Sequence, residues 1–247
     1  MMRGARVPDW LLIAAAELHL LRRSPFALIM AAVLPTALGL LIVWAERDTG
    51  RAGWGAAAGL LLVTLMAFTA YVAGTTTLVA RRQQFVLKHL RTSAASDSAI
   101  VAGVLTPLAL LTIVQTVVLL SIVAVADGLH PFRPGLLLLV IGAGTLVACT
   151  LAAVTATFTS TPELAQFTTS PVTLAFFGGA LWAVRTPPGD VTWAMLALPG
   201  ASVAQLARAV WREPGVAGVT GAVTALLLLA GVAMPLAIRF FIWEPRR

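Results

Sequence analysis

Only one lysine, one cysteine and three histidines occur among the 247 residues of this chain, and 11% of the residues are charged. Each shortage excludes a class of function. A phosphate-binding loop requires Gly-x-x-x-x-Gly-Lys-[Ser/Thr], whereas the sole lysine, Lys88, stands between Leu87 and His89. With Cys149 alone, no intramolecular disulfide can form. The sequence has no His-Glu-x-x-His, no paired-cysteine metal spacing and no Gly-x-Ser-x-Gly. Its histidines, His19, His89 and His130, all fall outside the long apolar stretches. Carriers driven by protons or sodium place a carboxylate or imidazole at depth in the bilayer, and here those positions carry Thr, Ser and one glutamine, Gln115. No catalytic, cofactor or metal site is therefore expected in the chain. The energy for any uphill movement is expected from a partner.

What the chain has in abundance is apolar sequence. It is 59% hydrophobic with a mean hydropathy of +0.93, too greasy to cover itself with polar surface as a soluble domain must. About 20 consecutive apolar residues cross the hydrocarbon, and six such runs lie at about 26–44, 54–80, 99–126, 135–158, 164–184 and 216–238. None contains Asp, Glu, Lys or Arg, although Glu163 stands at the mouth of the fifth. Alternating strand-length segments are absent, so the expected fold is an all-α polytopic bundle. Residues 1–247 read as a single transmembrane domain.

The basic residues set the expected topology. With six spans and both ends on one face, that face carries eleven of the seventeen Lys and Arg residues and the opposite face six. The positive-inside rule then places both termini in the cytoplasm. The net charge of +7 reads as topogenic and headgroup-facing. Nucleic-acid binding would need those charges gathered on one soluble surface. Residues 9–23 resemble a signal peptide only superficially, because Glu17 interrupts the apolar run and Arg22-Arg23 follow it. They are expected to form a helix lying on the inner membrane surface. Its charges are not confined to one stripe, so the amphipathic pattern is weak. Ser24-Pro25 reads as the cap and first residue of span one.

The connections are unequal. Residues 46–53 and 127–134 are short outer turns, and Thr161-Pro162-Glu163 reads as a helix restart with Thr161 as cap. Residues 185–214 form a long outer segment broken by Pro199-Gly200. Its second piece carries Val203, Leu206, Ala207 and Val210 at helical spacing, with Ser202 and Gln205 as a candidate capping box. Each piece is too short to span, so a re-entrant or interfacial helical hairpin is expected before the last span. Gly55-x-x-x-Gly59 at the start of span two suits close helix contact, although chance accounts for it equally well in a glycine-rich chain. Pro35, Pro107, Pro171 and Pro235 lie within spans and should bend them.

The connection between spans two and three, residues 81–97, is the most informative. It begins Arg81-Arg82-Gln83-Gln84-Phe85-Val86-Leu87-Lys88-His89-Leu90-Arg91-Thr92-Ser93 and packs four basic residues into eleven positions. Its pattern, basic residues followed by Leu87-Lys88-x-Leu90-Arg91-Thr92-Ser93, is similar to a stretch of the ABC-2 type transporter permease. The layout of interfacial helix, six spans, outer hairpin and basic ending (residues 239–247) also resembles that family. The resemblance implies a bacterial cell-membrane exporter of two such subunits, identical or related. Two copies of a separate ATPase would bind the ATP and magnesium, and this subunit would have no cofactor of its own. It further implies a drug, antibiotic, peptide, lipid or glycan cargo, and a coupling helix that docks on the ATPase. Membrane lipids complete the expected partners, and nucleic acid is not among them.

Docking would fall to Arg81, Arg82, Phe85, Lys88, His89 and Arg91. On one continuous helix, Arg81, Phe85, Lys88 and His89 share a face and Val86, Leu87 and Leu90 lie opposite. Aromatic and basic side chains of this kind are enriched among interface hot spots. The same charges also suffice to fix topology alone. Thr75, Thr76, Thr168, Thr169 and Ser170 are candidates for a translocation path, although such hydroxyls more often bond to backbone within their own helices. The alternative is a membrane scaffold, immunity or assembly protein that transports nothing.

Overall fold

In the computed structural model, residues 8–49, 53–92, 95–128, 133–241 and 243 are described, and no strand occurs among them. The expectations placed on Arg3, Arg6, Arg51, Ser93, His130, Arg246 and Arg247 lie outside these residues. Among the described residues six helices are long and apolar enough to cross a membrane: Ile29–Asp48, Trp54–Gln83, Asp97–Asp127, Pro134–Phe158, Ala165–Arg185 and Val219–Phe240. In hydrocarbon, backbone polar groups must be satisfied within the segment, and the helix does this in every apolar run.

Helix α1 (Asp9–Arg23) packs along α7 (Asp97–Asp127), approaching so closely that a Cβ on Gly103 would lie 2.7 Å from Ile13. After Ser24, span one runs through α2 (Pro25–Leu28), a π-helical segment (Ile29–Val33) and α3 (Leu34–Thr49). Span two is α4 (Trp54–Leu65), a second π-helical segment (Met66–Val72) and α5 (Ala73–Gln83), and it is the most buried of the six. The short α6 (Val86–Arg91) leads into α7, which is span three. Spans four to six are α8 (Pro134–Phe158), α9 (Ala165–Thr168) continuing into α10 (Ser170–Arg185), and α13 (Val219–Phe240). Between the last two lie α11 (Trp193–Leu196) and α12 (Pro199–Val210). One face of the bundle thus holds α6, the start of α7 and the end of α8; the other holds the start of α4, the end of α10 and α12.

The two π-helical segments have a physical partner in Gln115. A π turn widens the helix and re-aims its carbonyls. Gln115 Nε2 donates to the Ala32 carbonyl at 2.9 Å and to Thr36 Oγ1 at 2.7 Å, while Thr69 Oγ1 donates to the Ala31 carbonyl at 2.8 Å and to Gln115 Oε1 at 3.1 Å. Spans one, two and three are joined through this cluster.

Several local expectations are corrected. Span two continues as helix past its apolar run to Gln83, so Arg81 and Arg82 belong to its last turn. Pro171 opens α10 instead of bending it, whereas Pro107 and Pro235 do lie inside helices. Pro162 sits in a turn ahead of α9 and is not its first residue; the Thr161 hydroxyl accepts from the Leu164 N–H at 3.3 Å within that turn. Ser202 and Gln205 form no capping box, because α12 already begins at Pro199. Ser202 Oγ donates back to the Leu196 carbonyl at 2.7 Å, and Gln205 Nε2 donates to Pro188 and Ala217 carbonyls at 2.9 Å each.

Helix α12 is buried on all sides, packed against α4, α10, α8 and α13. Small residues allow that approach. A Cβ on Gly59 would lie 2.9 Å from Ala204 Cα, and one on Gly55 would lie 3.1 Å from Arg208 Cα, so the Gly55-x-x-x-Gly59 pair is a helix contact. At Gly200 an added Cβ would fall 1.7 Å from the Phe176 carbonyl oxygen, well inside contact distance. Gly200→Ala is therefore expected to destabilise the protein by about 1–3 kcal/mol through overpacking. Gly178→Ala, whose Cβ would have nothing within 4 Å, should stay within about 0.5 kcal/mol of the parent. Reversible unfolding in detergent compares the two, and equal stabilities would show that α12 does not pack this tightly.

Candidate functional site

The 81–97 connection is held by charges turned inward. Arg81 pairs with Glu17 of α1, with Nε 2.8 Å from Oε1 and Nη2 donating to Oε2 at 2.9 Å; its Nη1 donates to Gln84 Oε1 at 2.8 Å. Glu17 is buried, so the residue that spoiled the amphipathic pattern of α1 is the one that fastens it to span two. Arg82 is fully buried, and its Nη1 donates to the Ala156 carbonyl at 2.8 Å while Nη2 donates to the Thr159 carbonyl. Those carbonyls belong to the end of α8, where the helix leaves acceptors without intrahelical donors.

Beyond these anchors the chain reverses. Gln84 closes α5, and Phe85 adopts φ 59°, a left-handed conformation that a bulky L-residue rarely takes. The expected single face carrying Arg81, Phe85, Lys88 and His89 is corrected accordingly. The helix breaks at Phe85, and Arg81 and Arg82 sit on the span-two side of the break, engaged with α1 and α8. Within α6, Leu87 is fully buried, Val86 and Leu90 are half-buried, and Lys88 and His89 are exposed. Phe85 is 57% exposed and stands close in sequence to the exposed Lys88 and His89.

Arg91 closes the far end of α6. Its Nε lies 3.2 Å from Asp97 Oδ1, and its guanidinium sits 5.2 Å from the Trp243 ring centroid. Trp243 in turn packs edge-on against Phe241 at 4.9 Å. The segment after α13 thus folds onto the connection between α6 and α7. Ser96 accepts from the Ala99 N–H as the cap of α7.

The candidate hydroxyls do not form a single wall. Tyr71 Oη lies 3.0 Å from Thr155 Oγ1 and donates to the Thr169 carbonyl at 3.4 Å. Thr75 bonds to the Tyr71 carbonyl at 2.9 Å and reaches the Ala152 carbonyl at 3.4 Å, and Thr168 Oγ1 meets Thr159 Oγ1 at 2.7 Å. Thr75, Thr168 and Thr169 therefore join spans two, four and five. Thr76 turns away to a cavity of about 310 Å³ beside α1 and α7, and Ser170 is exposed. Thr75, Thr76, Thr169 and Ser170 each donate to the carbonyl four residues back. Among the described residues no three His, Cys, Asp or Glu side chains gather as a metal site.

Sequence reasoning missed the second buried arginine. Arg208 pairs with Glu213 through two contacts of 2.7 and 2.8 Å and donates to the Ala183 and Thr186 carbonyls at 2.9 and 3.1 Å. It closes the end of α10 as Arg82 closes the end of α8. The topological reading counted it as one of six surface charges. Its position on a periodic apolar helix, five residues before a glutamate, was the available signal.

A family model described as ABC-2 type transporter matches residues 9–211. No curated protein matches the chain.

Removing a buried charged donor orphans the carbonyls it satisfied. Arg82→Met should therefore cost about 2–4 kcal/mol of stability, whereas His89→Ala, on the exposed side of α6, should cost less than about 0.5 kcal/mol. Thermal unfolding of the two variants in detergent checks the contrast; a silent Arg82→Met would mean the guanidinium does not hold α8.

Proposed function

The chain belongs to the ABC-2 type transporter family, and from that premise we infer that it works as one of two membrane-spanning subunits of an exporter. It is a multi-pass membrane protein and the permease component of an ABC transporter; in this family ATP is hydrolysed by a separate subunit. The finer reading is that two ATPase subunits bind and hydrolyse ATP with magnesium while this chain, paired with itself or a related subunit, carries a drug, antibiotic, peptide, lipid or glycan outward. Both termini, α1 and α6 face the cytoplasm of a bacterial cell, in keeping with the excess of basic residues on that face.

One observation carries the docking assignment: the left-handed Phe85, exposed beside Lys88 and His89 at the end of the most buried span. A strained backbone persists only where its surroundings over-determine it. Arg81 on Glu17, Arg82 on α8 and Arg91 on Asp97 supply that constraint. Phe85, Lys88 and His89 then form the contact surface, and Arg81, Arg82 and Arg91 hold it in place. Force delivered to α6 reaches span two through a short rigid turn, as a two-state coupling element requires. Thr75, Thr168, Thr169 and Ser170, on spans two and five, are the proposed path residues, whereas Thr76 faces the separate cavity beside α1 and α7.

Phe85→Ala combined with Lys88→Ala should weaken ATPase association by roughly 2 kcal/mol, about 30-fold in affinity, and abolish cargo efflux at equal membrane expression without lowering thermal stability. Unchanged association and efflux would overturn the docking role. Orientation is tested in a Cys149→Ala background: a cysteine at Pro214 should be labelled by an impermeant maleimide from outside whole cells, and one at Gln84 only after the membrane is opened. Labelling of Gln84→Cys in intact cells would invert the topology.

A further inference from the structure

Spans three, four and six enclose a groove that the transport reading does not use. Its volume is about 350 Å³, and its walls include Val101, Leu105, Ile113, Leu146 and Met234. Along α7 it extends from Asp97 to Ile113, about 24 Å at 1.5 Å per residue. One hydrocarbon leaflet is about 15 Å deep, half of the roughly 30 Å core, so the groove accommodates an extended acyl chain. The surface around it is apolar, with Leu110, Val114 and Ile238 all exposed, as expected where a bundle meets lipid tails.

One end of the groove is charged. Asp97, Ser98 and Trp243 line it, and Arg91 stands over Trp243 while pairing with Asp97. In that ion pair Arg91 Nε lies 3.2 Å from Asp97 Oδ1, and the two side chains keep 54% and 43% of their exposure. A cation and an anion side by side at the polar end of an apolar groove are complementary to a headgroup with the opposite pair of charges. A phosphate meets the guanidinium, which suits phosphate geometry, and a primary ammonium donates to the carboxylate.

We propose that this groove binds one phospholipid with a primary-amine headgroup, its acyl chain lying between spans three, four and six and its phosphate and ammonium set against Arg91 and Asp97. Gly142 lines the groove, and a Cβ added there would have nothing within 4 Å, so a larger side chain at this position fills the space the acyl chain would take. The site requires only that the six helices sit in a bilayer, and it stands independently of docking and cargo. Bound lipid would brace the far end of α6, because Arg91 belongs to both.

Native mass spectrometry of the full chain, delipidated and titrated with phosphatidylethanolamine or phosphatidylglycerol of identical acyl chains, tests this. The parent should retain one phosphatidylethanolamine with a preference of roughly fivefold over phosphatidylglycerol, the size expected of one exposed ion pair. Asp97→Asn should abolish the preference while keeping lipid retention, and Gly142→Leu should lower retention of both lipids. Equal retention of the two lipids by the parent, or a preference that survives Asp97→Asn, would overturn the headgroup assignment. Retention unaffected by Gly142→Leu would overturn the groove as the site. Asp97→Asn is an isosteric change at a half-exposed residue and leaves the Ser96 cap intact, so misfolding does not account for its result.

Discussion

Two guanidinium groups buried among apolar helices determine how this bundle closes. A helix end inside a low-dielectric interior leaves carbonyls without donors, and each such acceptor is costly unless something donates to it. Arg82 does this for the end of α8 and Arg208 for the end of α10, on opposite faces of the molecule. Each is also fixed at its own base: Arg82 by the helical turn it shares with Arg81, whose partner is Glu17, and Arg208 by Glu213. A buried charge of this kind is costly unless it is paired or hydrogen-bonded. These two arginines therefore fix which helix ends lie together, and the connections follow from that registration. With Arg82 committed to α8, the chain must reverse at Gln84-Phe85, and α6 emerges where it does.

Between those two faces the packing rests on small residues and on a few polar knots. Gly55 and Gly59 admit α12 against span two, and Gly200 admits it against Phe176 of α10. Gln115 and Thr69 meet the carbonyls of Ala31 and Ala32 in span one, and Tyr71 gathers Thr155 and the Thr169 carbonyl. The polar knots sit at or beside the π-helical segments of spans one and two, where helical geometry is already irregular. Such segments are places where a helix can change pitch without breaking. A subunit that passes motion from α6 to the opposite face through span two would use that property.

The number and type of elements were legible in the sequence because membrane spans are dictated by composition over about 20 residues. The short helix between spans two and three was also legible from its pattern of basic and aliphatic residues, but its boundary was not. Phasing by 100° per residue assumes a continuous helix, and nothing in Gln83-Gln84-Phe85 announces a left-handed residue without glycine. Arg81 and Arg82 were assigned to the exposed face because a basic pair after an apolar run ordinarily lies in headgroups; their partners, Glu17 and the α8 carbonyls, are 64 and 74–77 residues distant in sequence. Arg208 was misplaced for the same reason. The burial of α12 on every side was hidden because an apolar stripe with an arginine at one end reads equally well as a surface helix.

The docking surface proposed for this chain is accordingly smaller than charge counting suggests: Phe85, at the left-handed turn, with Lys88 and His89 on the helix anchored by Leu87. Transport depends on that surface if the ATPase docks there. That docking is tested most directly by placing a photo-crosslinking amino acid at Lys88 in the assembled transporter and, separately, at Pro214 on the opposite face. The account predicts a crosslink from position 88 to the ATPase subunit and none from position 214. A transporter that hydrolyses ATP and moves cargo normally, yet gives no crosslink from position 88, would contradict it.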